Sequence, residues 1–218
     1  MLSTLLKHPV FRVSQKFFDA AAIRFRRMIS RAVVACVFAV LTVAGCGGSK
    51  PAEPEATSTS SAAGVAPATG DLVSTDEYSY NVPKGWKEHR GDTPGFDFDS
   101  VATDPGDKDG FSDNINVIRV GTAPSDDLGQ FEDESEKELT RLGAKEVKVL
   151  PRQSVDGSES IHITASTSLN GTEYRTNQYG MVHNDIVFVV TFSFSVDVSA
   201  AAQDELIQSV LATWKWAS

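Results

Sequence analysis

The run Ile186-Val187-Phe188-Val189-Val190-Thr191-Phe192-Ser193-Phe194-Ser195 constrains this chain more than any other ten residues. Side chains of a strand alternate between two faces, so Phe188, Val190, Phe192 and Phe194 share one side. Val187 and Val189 make the first half apolar on the other side as well. A strand that is apolar on both faces needs cover on both. It excludes a lone sheet with one wet face and predicts a layered domain.

The flanking sequence supplies the layers. Asn184-Asp185 reverses the chain into this strand, and Asn170-Gly171 links strands predicted over 158–168 and 172–183; Asn-Gly is the strongest short hairpin signal in the sequence. A further strand is predicted over 146–150, ending at Pro151. Upstream, residues 77–82 alternate with Tyr78, Tyr80 and Val82 on one side, and Pro83-Lys84-Gly85 turns the chain into Trp86. Phe96, Phe98 and Val101 mark a short apolar stretch, and residues 114–121 read as another strand. Two helices are predicted. The first covers about 125–142, with Ser125 as N-cap, Leu128, Phe131, Leu139 and Leu142 as its buried stripe, and Gly143 past its end. The second covers about 199–212 and presents Leu206, Ile207, Val210, Leu211 and Trp214. The order β-β-β-α-β-β-β-β-α with hairpin links predicts an α+β domain over 71–218, an antiparallel sheet flanked by helices. Trp86, Trp214 and Trp216 belong in its core or at its rim.

The front of the chain reads as an address. Arg24, Arg26, Arg27 and Arg31 precede a stretch of fourteen residues, from Ala32 to Gly45, that contains no charge. At helical rise such a run spans about 21 Å, short of the roughly 30 Å hydrocarbon core. A basic flank, a short apolar stretch and small residues form the layout of a secretory signal peptide over 1–45, with Met28 as an alternative start that gives a compact basic region. The sequence Val43-Ala44-Gly45-Cys46 resembles the lipobox of bacterial lipoproteins, in which the cysteine is diacylated and becomes the mature N-terminus. Cys46 is therefore the expected lipidation site. The only other cysteine, Cys36, lies inside the apolar run, so the exported domain has no disulfide and stands on its core. Residues 46–70 continue as a Gly/Pro/Ser/Ala-rich linker, whose 24 residues after Cys46 would reach about 27 Å as a flexible coil.

Tyr80-Asn81-Val82-Pro83-Lys84-Gly85-Trp86 resembles the opening motif of the PsbP-like fold, and Asn114-Ile115-Asn116-Val117 resembles one of its strands. Tyr179, the 186–192 run and the terminal amphipathic helix match the family's later part. With the lipobox and linker, the chain is similar to actinobacterial lipoproteins of the LpqN/LpqT type. The resemblance covers nearly all of 71–218. It implies an α/β/α sandwich, non-catalytic modules that bind other proteins, and a place in a mycobacterial-type envelope. It implies no catalytic residues.

The residues themselves point the same way. Of the formal charge of −9, residues 1–45 carry +6 and residues 46–218 carry −15, so the mature body repels phosphate backbones and nucleic acid is not an expected partner. Walker A, G-x-G-x-x-G, G-x-S-x-G and H-E-x-x-H patterns are absent. His89, His162 and His183 lack metal-ligand spacing, although His162 and His183 fall on polar faces of neighbouring predicted strands. The loop from Asp104 to Asn114 is rich in carboxylates yet fails the EF-hand pattern, because Pro105 stands four before Asp109. No catalytic residue, metal ligand or cofactor is predicted. The reading is a lipid-anchored lipoprotein on the extracytoplasmic side of the cell membrane, acting as a non-catalytic protein-binding or adaptor module, with a protein or an envelope lipid as partner. The alternative is a lipid or glycolipid carrier that holds its ligand against Phe188, Phe192 and Phe194. A hydrolase with an unpatterned site is the third.

Overall fold

The computed structural model describes residues 64–89, 98–122, 128–169 and 171–217. Cys46, Ser125, Phe96 and Asn170 lie outside them. Ten strands and two helices follow in the order β1 (Leu72–Ser74), β2 (Tyr78–Asn81), β3 (Lys87–Glu88), β4 (Ser100–Thr103), β5 (Asn114–Thr122), α1 (Leu128–Arg141), β6 (Lys145–Val155), β7 (Ser158–Leu169), β8 (Thr172–His183), β9 (Ile186–Ser195), α2 (Ala200–Leu211) and β10 (Lys215–Trp216). A seven-stranded sheet has the order β3-β4-β5-β9-β8-β7-β6, and a three-stranded sheet the order β1-β2-β10. Every pairing is antiparallel. The domain is α+β, an antiparallel sheet with helices, as the element order predicts.

β9 sits at the centre of the large sheet, between β5 and β8. Its front face, Phe188, Val190, Phe192 and Phe194, is wholly buried with Ile115 and Val117 of β5 and Tyr179 and Met181 of β8. The small sheet and the C-terminal half of α2 cover this face through Val73, Tyr78, Tyr80, Ile207, Val210, Leu211 and Trp214. On the rear, the ring of Phe131 from α1 presses on Gly180 of β8, where a Cβ would strike the ring and come within 2.9 Å of Ile161 Cγ1. Only glycine permits that approach.

The turns obey local chemistry. Asn184 and Asp185 both take positive φ, 48° and 62°, as a two-residue I′ hairpin requires, and Asp156-Gly157 does the same between β6 and β7 at 46° and 84°. Pro83-Lys84-Gly85-Trp86 closes with a Trp86 N–H to Pro83 carbonyl bond of 3.1 Å, and Gly85 has φ 94°. Ser199 caps α2, its hydroxyl accepting from the Ala202 amide at 3.3 Å.

Several expectations change. The short strands β1, β3 and β10 carry too few residues for a periodic signal, and β1 and β10 pair with β2 to form the second sheet. The stretch around Val101 becomes strand only from Ser100. β6 does not stop before Pro151 but runs through it to Val155. It can, because β6 is an edge strand and Pro151 falls in a register shift between Leu150 and Gln153, where no ladder bond is lost. The stripe of α1 is half-buried, with no fully buried residue, because the helix packs mainly over β6 and β7 at the edge of the sheet, with Phe131 reaching in to Gly180 of β8. The chain is bonded to the domain ahead of β1: the Ala68 amide donates to the Ser209 carbonyl and the Gly70 amide to the Val82 carbonyl, both at 2.9 Å.

Two substitutions test this packing. Phe192→Ala is expected to cost about 3–5 kcal/mol in denaturant unfolding, the range for a fully buried ring. Gly180→Ala is expected to cost about 1–3 kcal/mol through overpacking against Phe131, and much less in a Phe131→Ala background.

Candidate functional site

The front face of the large sheet changes character from β9 toward β6. On β7 the rear residues Ile161, Ile163 and Ala165 are buried and apolar, whereas the front row reads Ser160, His162, Thr164, Ser166 and Ser168. On β8 the front row passes from Met181 and Tyr179 to Asn177 and Arg175. The first turns of α2 face this polar region. The large apolar residues of α2 lie in its C-terminal half, and its N-terminal half stands over mostly polar side chains. A groove of about 460 Å³ results, walled by Lys148 and Glu146 on one side and Ala200, Gln203 and Asp204 on the other. His162, Thr164, Ser166, Arg175 and Asn177 also line it.

A chain of side-chain contacts fixes one part of the groove lining. The imidazole of His162 stacks on Tyr179 with centroids 4.2 Å apart, and its Nε2 lies 3.2 Å from Asn177 Oδ1. Asn177 Nδ2 donates to Gln203 Oε1 at 3.4 Å, and Gln203 Nε2 donates to the Val198 carbonyl at 2.9 Å. Burial holds His162 below its ordinary pKa, against the opposing pull of the Asn177 bond and the Asp204 carboxylate. The ring is therefore neutral at pH 7. With Nε2–H directed at Asn177 Oδ1, its Nδ1 is an acceptor. Serine 166 donates to Glu146 Oε2 at 2.8 Å, and Glu146 holds a left-handed φ of 51° at a register shift in β6. Such a lining offers hydrogen bonds and charge; no hydrogen bond links a histidine to a serine among the described residues.

The residues singled out by sequence are dispersed. His162 and His183 share the front face but not a site. His162 pairs with Tyr179, four residues before His183 on β8, which separates them by about 13 Å along the strand. His183 stacks on Trp216 instead, 4.2 Å away and 5° from parallel. His89 Nε2 is 2.6 Å from Thr103 Oγ1. The aromatic face expected to hold a carrier's ligand is filled: Phe188 meets Tyr78 edge-on at 5.8 Å and Phe192 meets Tyr179 at 5.9 Å, with both rings fully buried. Most acids of α1 are engaged locally, Glu132 with Arg152 at 3.0 Å, Asp133 with Lys137 at 3.7 Å and Glu138 with Arg141.

The acidic loop serves its own backbone. Asp104 Oδ1 accepts from the Gly106 amide at 2.7 Å, Asp109 Oδ1 from Phe111 at 2.9 Å, and Asp107 Oδ2 from Asp113 at 2.9 Å. No cluster of three metal-ligating side chains occurs among the described residues. Asp113 is the unusual member. Its Oδ1 accepts from the Ser195 amide at 2.7 Å, tying the loop to the end of β9. Burial, with the neighbouring Asp107, Asp109 and Asp104 carboxylates, pushes its pKa up to about 7 despite that bond.

The groove escaped the sequence reading. His162, Thr164 and Ser166 alternate with apolar residues just as a solvent face does, and nothing local shows that α2 comes to stand opposite them.

No family model matches the chain, and no curated protein matches it. Solved structures do resemble it. Cyanobacterial PsbP (CyanoP) from Synechocystis sp. PCC 6803 is similar with TM-score 0.48 and 16% identity, over 80% of this chain and 98% of that one. LpqN of Mycobacterium tuberculosis, a protein involved in cell envelope biogenesis, is similar with TM-score 0.49 and 14% identity, over 67% and 84%. A protein from Bacteroides thetaiotaomicron gives TM-score 0.43 and 14% identity over 64% of this chain, and the match spans only 44% of that one.

Asp113 predicts a pH dependence. Its carboxyl titrates near 3.8 in a free chain and near 7 in the fold, so folding takes up a proton between those values. Stability should fall as pH rises from about 4 to about 7 and then level off. Asp113→Asn keeps the acceptor for Ser195 and removes the charge. Its unfolding midpoint should match the parent's near pH 4 and exceed it at pH 8, measured by denaturant titration across that range.

Proposed function

We propose that the chain is a lipid-anchored lipoprotein of the cell envelope whose domain, exposed on the extracytoplasmic side, works as a non-catalytic binding or adaptor module. One observation carries the reading: Val43-Ala44-Gly45-Cys46 closes a fourteen-residue uncharged run and opens directly into a linker that leads to a layered domain. Small residues before the cysteine suit a peptidase groove, and the thiol is the acceptor for the acyl group. Among the described residues no helix is long and apolar enough to cross a membrane. Two or three acyl chains hold a protein on a bilayer where one is marginal, at about 0.8 kcal/mol per buried methylene. The domain contributes a rigid scaffold with a polar groove at one end, a form suited to recognition. The carrier alternative loses ground because the aromatic face it needs is occupied by the protein's own rings.

The test is metabolic labelling with an alkyne fatty acid followed by membrane fractionation. The parent should carry label and sediment with membranes, and Cys46→Ser should be unlabelled and appear in the detergent-free soluble fraction. An unlabelled parent, or a Cys46→Ser variant still retained on membranes, overturns the anchor.

A further inference from the structure

The groove beneath α2 is lined by charges of both signs that the fold leaves unused. Among the four arginines of the described residues, Arg119, Arg141 and Arg152 each hold an acidic partner, and Arg175 has none. Lys148, opposite Thr164 on the neighbouring strand, has no ion pair either. Across from them Asp204 on α2 makes no hydrogen bond or ion pair, although its field reaches both His162 and Tyr179. In an acidic domain that pairs its other arginines, an unpaired Arg175 facing an unpaired Asp204 across a polar groove is a charge pattern awaiting a complement.

The lining decides what that complement is. Leu150 and Ala200 are the apolar side chains of the groove, and the charged and hydrogen-bonding groups of its walls set what it recognises. A simple anion would leave Asp204 without a partner and a simple cation would leave Arg175 and Lys148 without one, whereas the Glu146 carboxylate is already held by Ser166. A small molecule carrying both charges satisfies each end. The neutral His162 offers an acceptor for an amide N–H, and Thr164 a hydroxyl between the two charged ends. A volume of about 460 Å³ accommodates two linked residues. We propose that the groove binds a zwitterionic ligand of amino-acid or dipeptide size, its carboxylate on Arg175 and Lys148 and its ammonium on Asp204. Asn177 and Gln203, buried and bonded to one another, position the lining and keep α2 in register above it.

The purified full-length chain is titrated with L-alanyl-L-alanine by calorimetry and by amide-shift NMR. The proposal expects binding, with shifts centred on 146–150, 162–166, 175–177 and 200–204. N-acetyl-L-alanyl-L-alanine lacks the ammonium and L-alanyl-L-alaninamide lacks the carboxylate; each should bind at least about tenfold more weakly. Arg175→Gln should weaken the dipeptide about tenfold and abolish its advantage over the amide, and Asp204→Asn should abolish its advantage over the acetylated form. Both side chains are exposed, and the two blocked peptides test the unmodified protein without any variant. Equal binding of all three peptides, shifts centred elsewhere, or no response up to about 10 mM dipeptide overturns the proposal.

Discussion

The structure depends on one indole. Trp214 lies nearly flat across Tyr78 and Tyr80, with centroids at 4.6 and 5.4 Å and planes within 14° and 7°. Tyr78 in turn meets Phe188 edge-on, and the hydroxyls of Tyr78 and Tyr80 both bond to Ser100 Oγ at 2.9 and 3.2 Å. One residue just past α2 thereby joins the small sheet to both faces of its surroundings, the helix above and the large sheet below. The stack also tolerates a defect. The Nε1 of Trp214 is buried without a partner, an omission worth about 1–3 kcal/mol. Two aromatic pairs at about 0.5–1.5 kcal/mol each, added to burial of about 200 Å² at 25 cal/mol per Å², exceed it. Packing wins over satisfaction here, and the hydroxyls of the two tyrosines, kept protonated by burial, find their partner in a serine instead.

That anchor gives α2 two different halves. Ile207, Val210 and Leu211 are drawn into the core next to Trp214, whereas Ala200 and Asp204 stand over polar strands. Gln203 marks the change, buried yet bonded to Asn177 and to the carbonyl of Val198. A helix held firmly at one end can leave space beneath the other without loosening the domain. The groove is therefore a consequence of where the apolar residues of α2 stop. The other half of the large sheet shows a different solution, where Arg119 of β5 bridges Glu77 at 2.8 Å and Asp99 at 3.1 Å while its guanidinium lies 6.0 Å from the Phe188 ring. There the charges are consumed by the fold.

What was legible in the sequence was whatever obeyed a local rule. The ten residues of β9 announce a doubly covered strand, Asn184-Asp185 and Pro83-Lys84-Gly85 announce their turns, and Ser199 announces a helix start. Each rests on forces acting within a few residues, and each holds in the structure. The three short strands were not legible, because β1, β3 and β10 carry too few residues for a periodic signal, and Lys215 and Trp216 become strand only by pairing with the distant Ser79 and Tyr78. The stripe of α1 was read as a buried face because spacing reports amphipathicity and not the depth of cover. Pro151 was read as a terminator because nothing nearby tells an edge strand from a central one. The groove is the extreme case, since Lys148, the pair Arg175 and Asn177, and Asp204 come from three separate elements and none carries a recognisable spacing.

The rear of β9 shows how far polarity reaches into this fold. Asn116, Thr191 and Gln178 form one row across β5, β9 and β8, and Asn114, Ser193 and Thr176 form the next. Asn116 Nδ2 donates to Asn114 Oδ1 at 3.2 Å, but Asn116 Oδ1, Thr191 Oγ1 and Ser193 Oγ are buried without partners. Such atoms weaken the sheet they sit on. Stability must then come from the front, where the same strand buries Phe188, Val190, Phe192 and Phe194 completely. The chain also enters on the front, Ala68 bonding to Ser209 on α2. Nine residues of helix separate Ser209 from Ala200, which places the groove about 14 Å along the axis from that entry point. Ala68 thus bonds to the firmly packed half of α2, away from the raised half.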